Sequence, residues 1–207
     1  MDKGSIHIYC GEGKGKTTAA IGQGIQEASQ GRSVIIIQFM KERNAEAIGF
    51  VQRLEPEIKL FRFQKAEEAF EDLPDAEKAE EIKNLKNALN FARKVLVTEE
   101  CDVLILDEVL GLVEAGVIEA EELRALFEAK GEYTSLILTG IYPAKEIWQY
   151  ADEVTEMVTA YKRTVADSSG IFYAEIKKST RQLTIYFDND KIINKPVSAR
   201  RSTCVPV

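Results

Sequence analysis

Three glycines and two lysines alternate at one bend of the chain, in "YCGEGKGKTTAA" from Tyr9 to Ala20. Without Cβ atoms in the way, successive backbone amides can turn into one concavity, and such a concavity binds phosphate oxygens. A helix starting there adds its positive end, a lysine supplies a mobile charge for the outer phosphates, and a threonine hydroxyl can hold Mg2+. Gly15, Lys16 and Thr17 match the close of the G-x-x-x-x-G-K-[ST] pattern, while Cys10 stands where its opening glycine would be. The expected ATP-binding segment is therefore Gly11, Glu12, Gly13, Lys14, Gly15, Lys16, Thr17 and Thr18. The competing reading is a glycine-rich turn without a ligand. Lys14, by position alone, is either a phosphate contact or a solvated side chain.

A second pattern points the same way. In "VLILDEV" a run of buried-strand character ends in Asp107 and Glu108. An acid at the C-terminal end of a parallel strand lies beside the phosphate loop, where it can order Mg2+ and its waters. Lys16, Thr17, Asp107 and Glu108 are thus the candidate catalytic residues, with Thr17, Asp107 and Glu108 as the candidate metal set. Alternatively, the two acids cap the helix that follows.

These residues need elements to hold them. Ser5 to Cys10 reads as a strand feeding the glycine loop, and Thr17 to Gln30 as a helix that Gly31 stops. "SVIIIQF", "VLILDE" and "SLILT" are β-branched or aliphatic runs typical of strands buried on both faces, and "IKLFRF" is a shorter one. A long helix starts at Pro74 and Asp75, with Ile82, Leu85, Leu89, Ala92 and Leu96 forming one apolar stripe. Helical material fills Val109 to Ala129. Strands alternating with helices predict an α/β fold, a three-layer parallel sheet of the P-loop NTPase-like (RecA-like) kind. After "YADEVTEMV" the character changes. "GIFYAEI" and "QLTIYF", separated by a polar stretch with Lys177, Lys178 and Ser179, predict a β-hairpin that could add to a sheet edge. Residues 1–207 are read as a single P-loop domain, with 165–207 a divergent C-terminal hairpin and loosely held tail.

Composition narrows the partners. A net charge of −7 argues against a nucleic-acid or anionic-membrane surface. No apolar run approaches the ~20 residues of a membrane span. His7 is the only histidine, which excludes a histidine-built metal site or a Ser-His triad. Cys10, Cys101 and Cys204 are widely spaced and form no CxxC pair. With no leader sequence, they read as the thiols of a reduced, cytoplasmic protein.

In order and spacing, "GEGKGKTTAAIGQGIQEASQG", "VIIIQFMK", "CDVLILDEV", "GVIEAEELRALFEAK", "LILTG" and "YADEVTEM" resemble the P-loop ATP:cob(I)alamin (corrinoid) adenosyltransferases, from Ile6 to Met157. The resemblance implies a transferase of cobalamin biosynthesis, in which a reduced Co(I) corrinoid attacks the 5′ carbon of ATP and triphosphate leaves intact. It further implies ATP and Mg2+ as cofactors, a corrinoid substrate, a homodimer and a reductase partner. No water is activated in that chemistry, so Glu108 need not act as a hydrolytic base. The loop amides, Lys16 and Mg2+ held by Thr17 with Asp107 or Glu108 would neutralise the departing polyanion.

Departures from the family pattern are concentrated. Ile141 in "LTGIYP" stands where the family usually has arginine, and "TEMVTAYKRTVADSSG" lacks the family's Lys-His pair. Its aromatic cluster before the long helix is thinned to "QKAEEAFEDLP", leaving Phe70 as the corrinoid candidate or a core residue. Trp148 sits in a helical setting that suits packing. Besides a divergent adenosyltransferase, two alternatives follow: a regulatory ATP-binding descendant that has lost the transfer, and a P-loop ATP hydrolase or kinase with Glu108 as base.

Overall fold

The computed structural model describes residues 3–40, 51–65 and 70–163, together with strands at 172–178, 181–188 and 191–193. The chain forms two compact units, Met1–Val158 and Thr159–Val207. In the first, chain order runs β1 (Ile6–Cys10), α1 (Lys16–Ser29), β2 (Val34–Gln38), β3 (Ile58–Arg62), α2 (Asp75–Val97) and β4 (Val103–Asp107). It continues through α3 (Gly111–Glu114), α4 (Ala120–Ala129), β5 (Ser135–Thr139) and β6 (Glu153–Glu156). The six strands make one sheet in the order β3-β2-β4-β5-β1-β6. All neighbouring pairs in it are parallel.

Strands β2, β4 and β5 are buried along their whole length. Because side chains alternate across a strand, such a run must fill two cores at once. One core joins Ile35, Ile37, Leu104, Leu106, Leu136 and Leu138 to Leu85, Leu89 and Leu96 of α2 and to Leu123, Leu126 and Phe127 of α4. The other joins Val34, Ile36, Val103, Ile105 and Ile137 to Ala20 of α1. Helices thus cover both faces. The result is the three-layer α/β architecture of P-loop NTPase-like domains, as expected.

Local chemistry explains the helices that frame the site. Helix α2 opens after Pro74, carries Asp75 and Glu77 in its first turn and Lys94 in its last, in keeping with the helix dipole. Its expected stripe is buried apart from half-buried Ile82, and Ala88 and Val95 widen it. The material after β4 is two helices rather than one. Gly116, at φ 65, closes the first, and a reciprocal capping box between Glu119 and Glu122 opens α4.

Strand β6 lies within "YADEVTEM", where the sequence reading placed no strand. It is an edge strand with exposed Glu153 and Glu156 and half-buried residues between them, so no apolar alternation advertises it. Pairing with β1 nevertheless brings Glu156 level with Cys10, at the mouth of the glycine loop.

The second unit contains β7 (Tyr161–Arg163), β8 (Phe172–Lys178), β9 (Arg181–Asp188) and β10 (Lys191–Ile193) in the order β10-β9-β8-β7, all antiparallel. The expected hairpin is β8–β9, with Phe172 opposite Phe187 and Lys178 opposite Arg181. Two details differ from expectation. Lys177 and Lys178 belong to β8 rather than to the connection, and the hairpin sits in a four-stranded sheet of its own rather than on the edge of the parallel one. The expected tail from Asn194 onward, with Cys204, lies outside the described residues. Among the described residues, no helix is long and apolar enough to cross a membrane.

Candidate functional site

The C-terminal ends of the parallel strands gather the residues singled out by the sequence. The bend after β1 reaches α1 through Gly15, whose φ of 109° would strain any residue with a Cβ. Among the described residues no side chain caps the start of α1. Its first-turn amides, from Lys16, Thr17 and Thr18, therefore face the bend, and with them the positive end of the helix.

Gly11 and Gly13 have a different reason to be glycine. A Cβ on Gly13 would stand 2.7 Å from the carbonyl of Met157, and one on Gly11 would stand 2.5 Å from the same oxygen. The chain leaving β6 passes directly over the loop. Gly13 donates its N–H to the Met157 carbonyl (2.8 Å) and Gly11 donates to the Ile141 carbonyl (3.1 Å). These two amides serve the fold. Cys10, at the end of β1, is fully buried and belongs to the main core. Burial, helped by Glu156, pushes its thiol pKa up against the opposing pull of Lys16 and Lys145, so it is no ready nucleophile.

Lys16 is buried, and its Nζ donates to the carbonyls of Gly11 (2.6 Å) and Gly13 (2.7 Å). The ammonium is held at the centre of the bend, with Glu12 and exposed Lys14 on its rim. Thr17 donates its hydroxyl proton to Oδ1 of Asp107 at 2.7 Å. That direction matters. A hydroxyl whose proton points at a carboxylate keeps its lone pairs for a cation.

Asp107, fully buried at the end of β4, accepts further hydrogen bonds from Thr139 Oγ1 on Oδ1 (2.8 Å) and from Gln38 Nε2 on Oδ2 (2.7 Å). Gln38 in turn accepts from Arg62 Nε (2.8 Å). Glu108, half-buried, takes a φ of 64°, a left-handed conformation costly for a residue with a side chain. Its N–H donates to Thr139 Oγ1 (2.8 Å), and its Oε1 accepts from Ile141 N–H at 3.3 Å. Among the described residues no side chain caps α3, so the helix-cap alternative for these acids finds no support.

The structure thus brings Lys16, Thr17, Asp107 and Glu108 into one cluster. It leaves Phe70 elsewhere, in a one-turn 3-10 helix and packed against the main core. Phe61 and Phe63 pack on Phe91 with ring centroids 4.9 and 5.6 Å apart, an aromatic group that the sequence reading did not assemble. Trp148 packs on the core and donates its indole N–H to the Pro143 carbonyl. Sequence reasoning also missed Gln38, Thr139, Arg62 and Met157. For Gln38 and Thr139 a signal existed: each is a polar residue closing a buried strand at the end where the glycine bend lies.

The family model for ATP:corrinoid adenosyltransferase BtuR/CobO/CobP matches residues 2–173. The corrinoid adenosyltransferase CobA of Salmonella typhimurium is 26% identical over 162 residues, covering 75% of this chain and 77% of that protein. A corrinoid adenosyltransferase of Sinorhizobium sp is 29% identical over 158 residues, covering 75% of this chain and 72% of its own. Among solved structures, the KaiC-like protein PH0186 of Pyrococcus horikoshii has a TM-score of 0.51 at 18% identity, covering 91% of this chain and 87% of that one. The flagellar accessory protein FlaH of Methanocaldococcus jannaschii matches with the same TM-score of 0.51 at 16% identity, covering 91% of this chain and 86% of its own. The last two share the fold. With the glycine bend, the Thr17–Asp107 contact and the family model all lying in one stretch of sequence, this chain belongs to the ATP:corrinoid adenosyltransferase family.

Proposed function

We propose that the protein transfers the 5′-deoxyadenosyl group of ATP to the Co(I) centre of a reduced corrinoid, releasing triphosphate. The observation that carries the proposal is the Thr17–Asp107 hydrogen bond beside a buried, carbonyl-held Lys16, in a chain of this family. In the reaction, the cobalt lone pair forms a bond to C5′ while the C5′–O5′ bond breaks and its electrons leave with the triphosphate. Cobalt is formally oxidised from I to III. The departing group gains charge as the bond breaks, so preorganised positive groups lower the barrier.

Lys16 and the first-turn amides of α1 are assigned to the triphosphate. Glu12, Lys14 and Thr18 are assigned to the rim of the ATP site, and Gly11, Gly13 and Gly15 to the shape of its loop. The residues present fit Mg2+. This ion keeps several waters and binds through one or two carboxylates plus phosphate oxygens, rather than an all-protein cage. Among the described residues there is no cluster of three or more metal-ligating acids, histidines or cysteines, whereas Thr17, Asp107 and Glu108 supply a hydroxyl and two carboxylates. Mg2+ bound there would supply charge neutralisation for the polyphosphate. Glu108 has no water to activate in this reaction, and its Ile141 contact suits a positioning task.

In this reading the enzyme is a cytoplasmic homodimer of cobalamin biosynthesis, served by a reductase that supplies Co(I). Residues 165–207 are an addition to one P-loop domain. Phe70 is kept as a corrinoid candidate, and its packing against the core supports the structural alternative.

Incubation with ATP, Mg2+ and chemically reduced cobalamin tests the proposal. Triphosphate and a light-sensitive alkylcobalamin are expected. ADP and phosphate would instead make the protein a hydrolase, and ATP binding without any turnover would make it a regulatory descendant. Phe70→Ala with an unaltered cobalamin spectrum and rate would assign Phe70 to the core.

A further inference from the structure

We infer that Gln38 and Arg62 are positioning residues that set the aspartate of the nucleotide site, an inference that rests on the reading of Asp107 and Thr17 given above. The parallel register places the three side chains in a row. Gln38 is the partner of Arg62 across β2–β3 and of Asp107 across β2–β4. Arg62 Nε donates to Gln38 Oε1 (2.8 Å), Gln38 Nε2 donates to Asp107 Oδ2 (2.7 Å), and Thr17 donates to Asp107 Oδ1 (2.7 Å). Four elements are linked by three hydrogen bonds.

The order of donors and acceptors gives this row its function. A guanidinium can only donate, and an ionised carboxylate can only accept. A glutamine amide placed between them makes both bonds in one orientation alone, with its oxygen toward the arginine and its NH2 toward the aspartate. The alternative flip would set two donors and two acceptors face to face. Arg62 therefore fixes the orientation of Gln38, and Gln38, buried to 2% exposure, fixes the second oxygen of Asp107. With Thr17 and Thr139 on the first oxygen, the carboxylate plane has no rotational freedom left. The hydroxyl of Thr17 is then held with its proton inward. Neither Gln38 nor Arg62 needs to touch nucleotide for this effect. Each acts through Asp107 on how well the loop threonine presents its lone pairs to a cation.

The role predicts a split between metal-dependent and metal-independent binding. ATP affinity is measured by calorimetry across a Mg2+ series and in EDTA for the wild type, Gln38→Leu, Arg62→Met and Arg62→Lys, with melting curves alongside. The Mg2+ concentration for half-maximal ATP binding is expected to rise about tenfold in Gln38→Leu and about threefold in Arg62→Met, the scale of one lost hydrogen bond. Affinity in EDTA should stay at the wild-type value. Arg62→Lys retains a donor for Gln38 Oε1 and should recover most of the loss. Variants whose Mg2+ series match the wild type overturn the inference, as do variants that lose affinity equally with and without the metal. Should Gln38→Leu fail to fold, exposed Arg62 carries the same test. A wild-type protein that binds no ATP overturns the nucleotide-site reading itself, whereas a wild type that binds, with variants that match it, overturns only the role of this pair.

Discussion

Among the described residues, two lysines are clamped by backbone carbonyls at opposite ends of the same sheet. Lys16 Nζ, past the C-terminal end of β1, donates to the Gly11 and Gly13 carbonyls. Lys130 Nζ, beside the N-terminal ends of β1 and β5, donates to the carbonyls of Gly4 (3.0 Å), Gly131 (3.0 Å) and Thr134 (2.9 Å). An ammonium has three donors, so Lys130 is saturated by carbonyls that tie two strand starts together, and burial pulls its pKa down. Lys16 has two carbonyl acceptors, both in the glycine bend and next to the start of helix α1. A polyphosphate carries full negative charge and makes stronger, charge-assisted bonds than neutral carbonyls can. Under the proposed function the same bond is structural at one end and exchangeable at the other, and the neighbouring backbone makes the difference.

That contrast can be broken most directly at Lys16. Lys16→Ala should lower ATP binding or turnover about a hundredfold or more, by analogy with losing one preorganised charge partner. Unchanged affinity and rate would remove the loop assignment. Next in size, Asp107→Asn or Glu108→Gln should raise the Mg2+ requirement about tenfold, on the scale of a lost charged hydrogen bond. Wild-type metal titrations in both would exclude these carboxylates.

Lys130→Met should differ from Lys16→Ala in sparing nucleotide binding. A loss of about 1–2 kcal/mol in urea denaturation is expected as carbonyls lose their charged donor, with ATP affinity unchanged. Were Lys130→Met to impair nucleotide binding instead, the two ends of the sheet would not be separable. A smaller effect concerns the same structural end. The Ser33 N–H, and then its hydroxyl and Arg32, hold the Asp102 carboxyl below its ordinary pKa despite partial burial. Its contribution to stability is therefore present above the unfolded carboxylate pKa of about 3.9 and is lost as pH falls through the lower folded value. Asp102→Asn should flatten the acid limb of a stability–pH curve, and an unchanged limb would dismiss this pair. Smallest of all, alkylation near neutral pH should leave both buried thiols unmodified in the native protein. Burial raises the Cys10 pKa and pushes that of Cys101 up to about 12. Rapid labelling of Cys10 in a mass spectrum would show that the base of the loop opens.

How much was legible in the sequence follows from the range of the interactions involved. Strands β2, β4 and β5 were readable because a strand buried on both faces leaves a continuous aliphatic run. Strand β6 was not, because an edge strand with acids at both ends carries no such mark. The stop between α3 and α4 depended on Gly116 and on the Glu119–Glu122 box, short signals hidden inside helix-compatible sequence. Glycines 11 and 13 stand out in the sequence as parts of an expected phosphate-binding bend, and the structure adds a separate reason for them: the chain leaving β6, far along the sequence, packs on them.

The amino-acid sequence by itself carried the family likeness and the chemistry proposed for it, because glycines, lysine and threonine within one contiguous bend announce themselves locally. Tertiary structure alone decided how that chemistry is aimed. Thr17 meets Asp107 across 90 residues of chain, and Gln38 meets it across 69. Those meetings depend on parallel register across β3, β2 and β4, where a shift of one residue would turn each side chain to the opposite face.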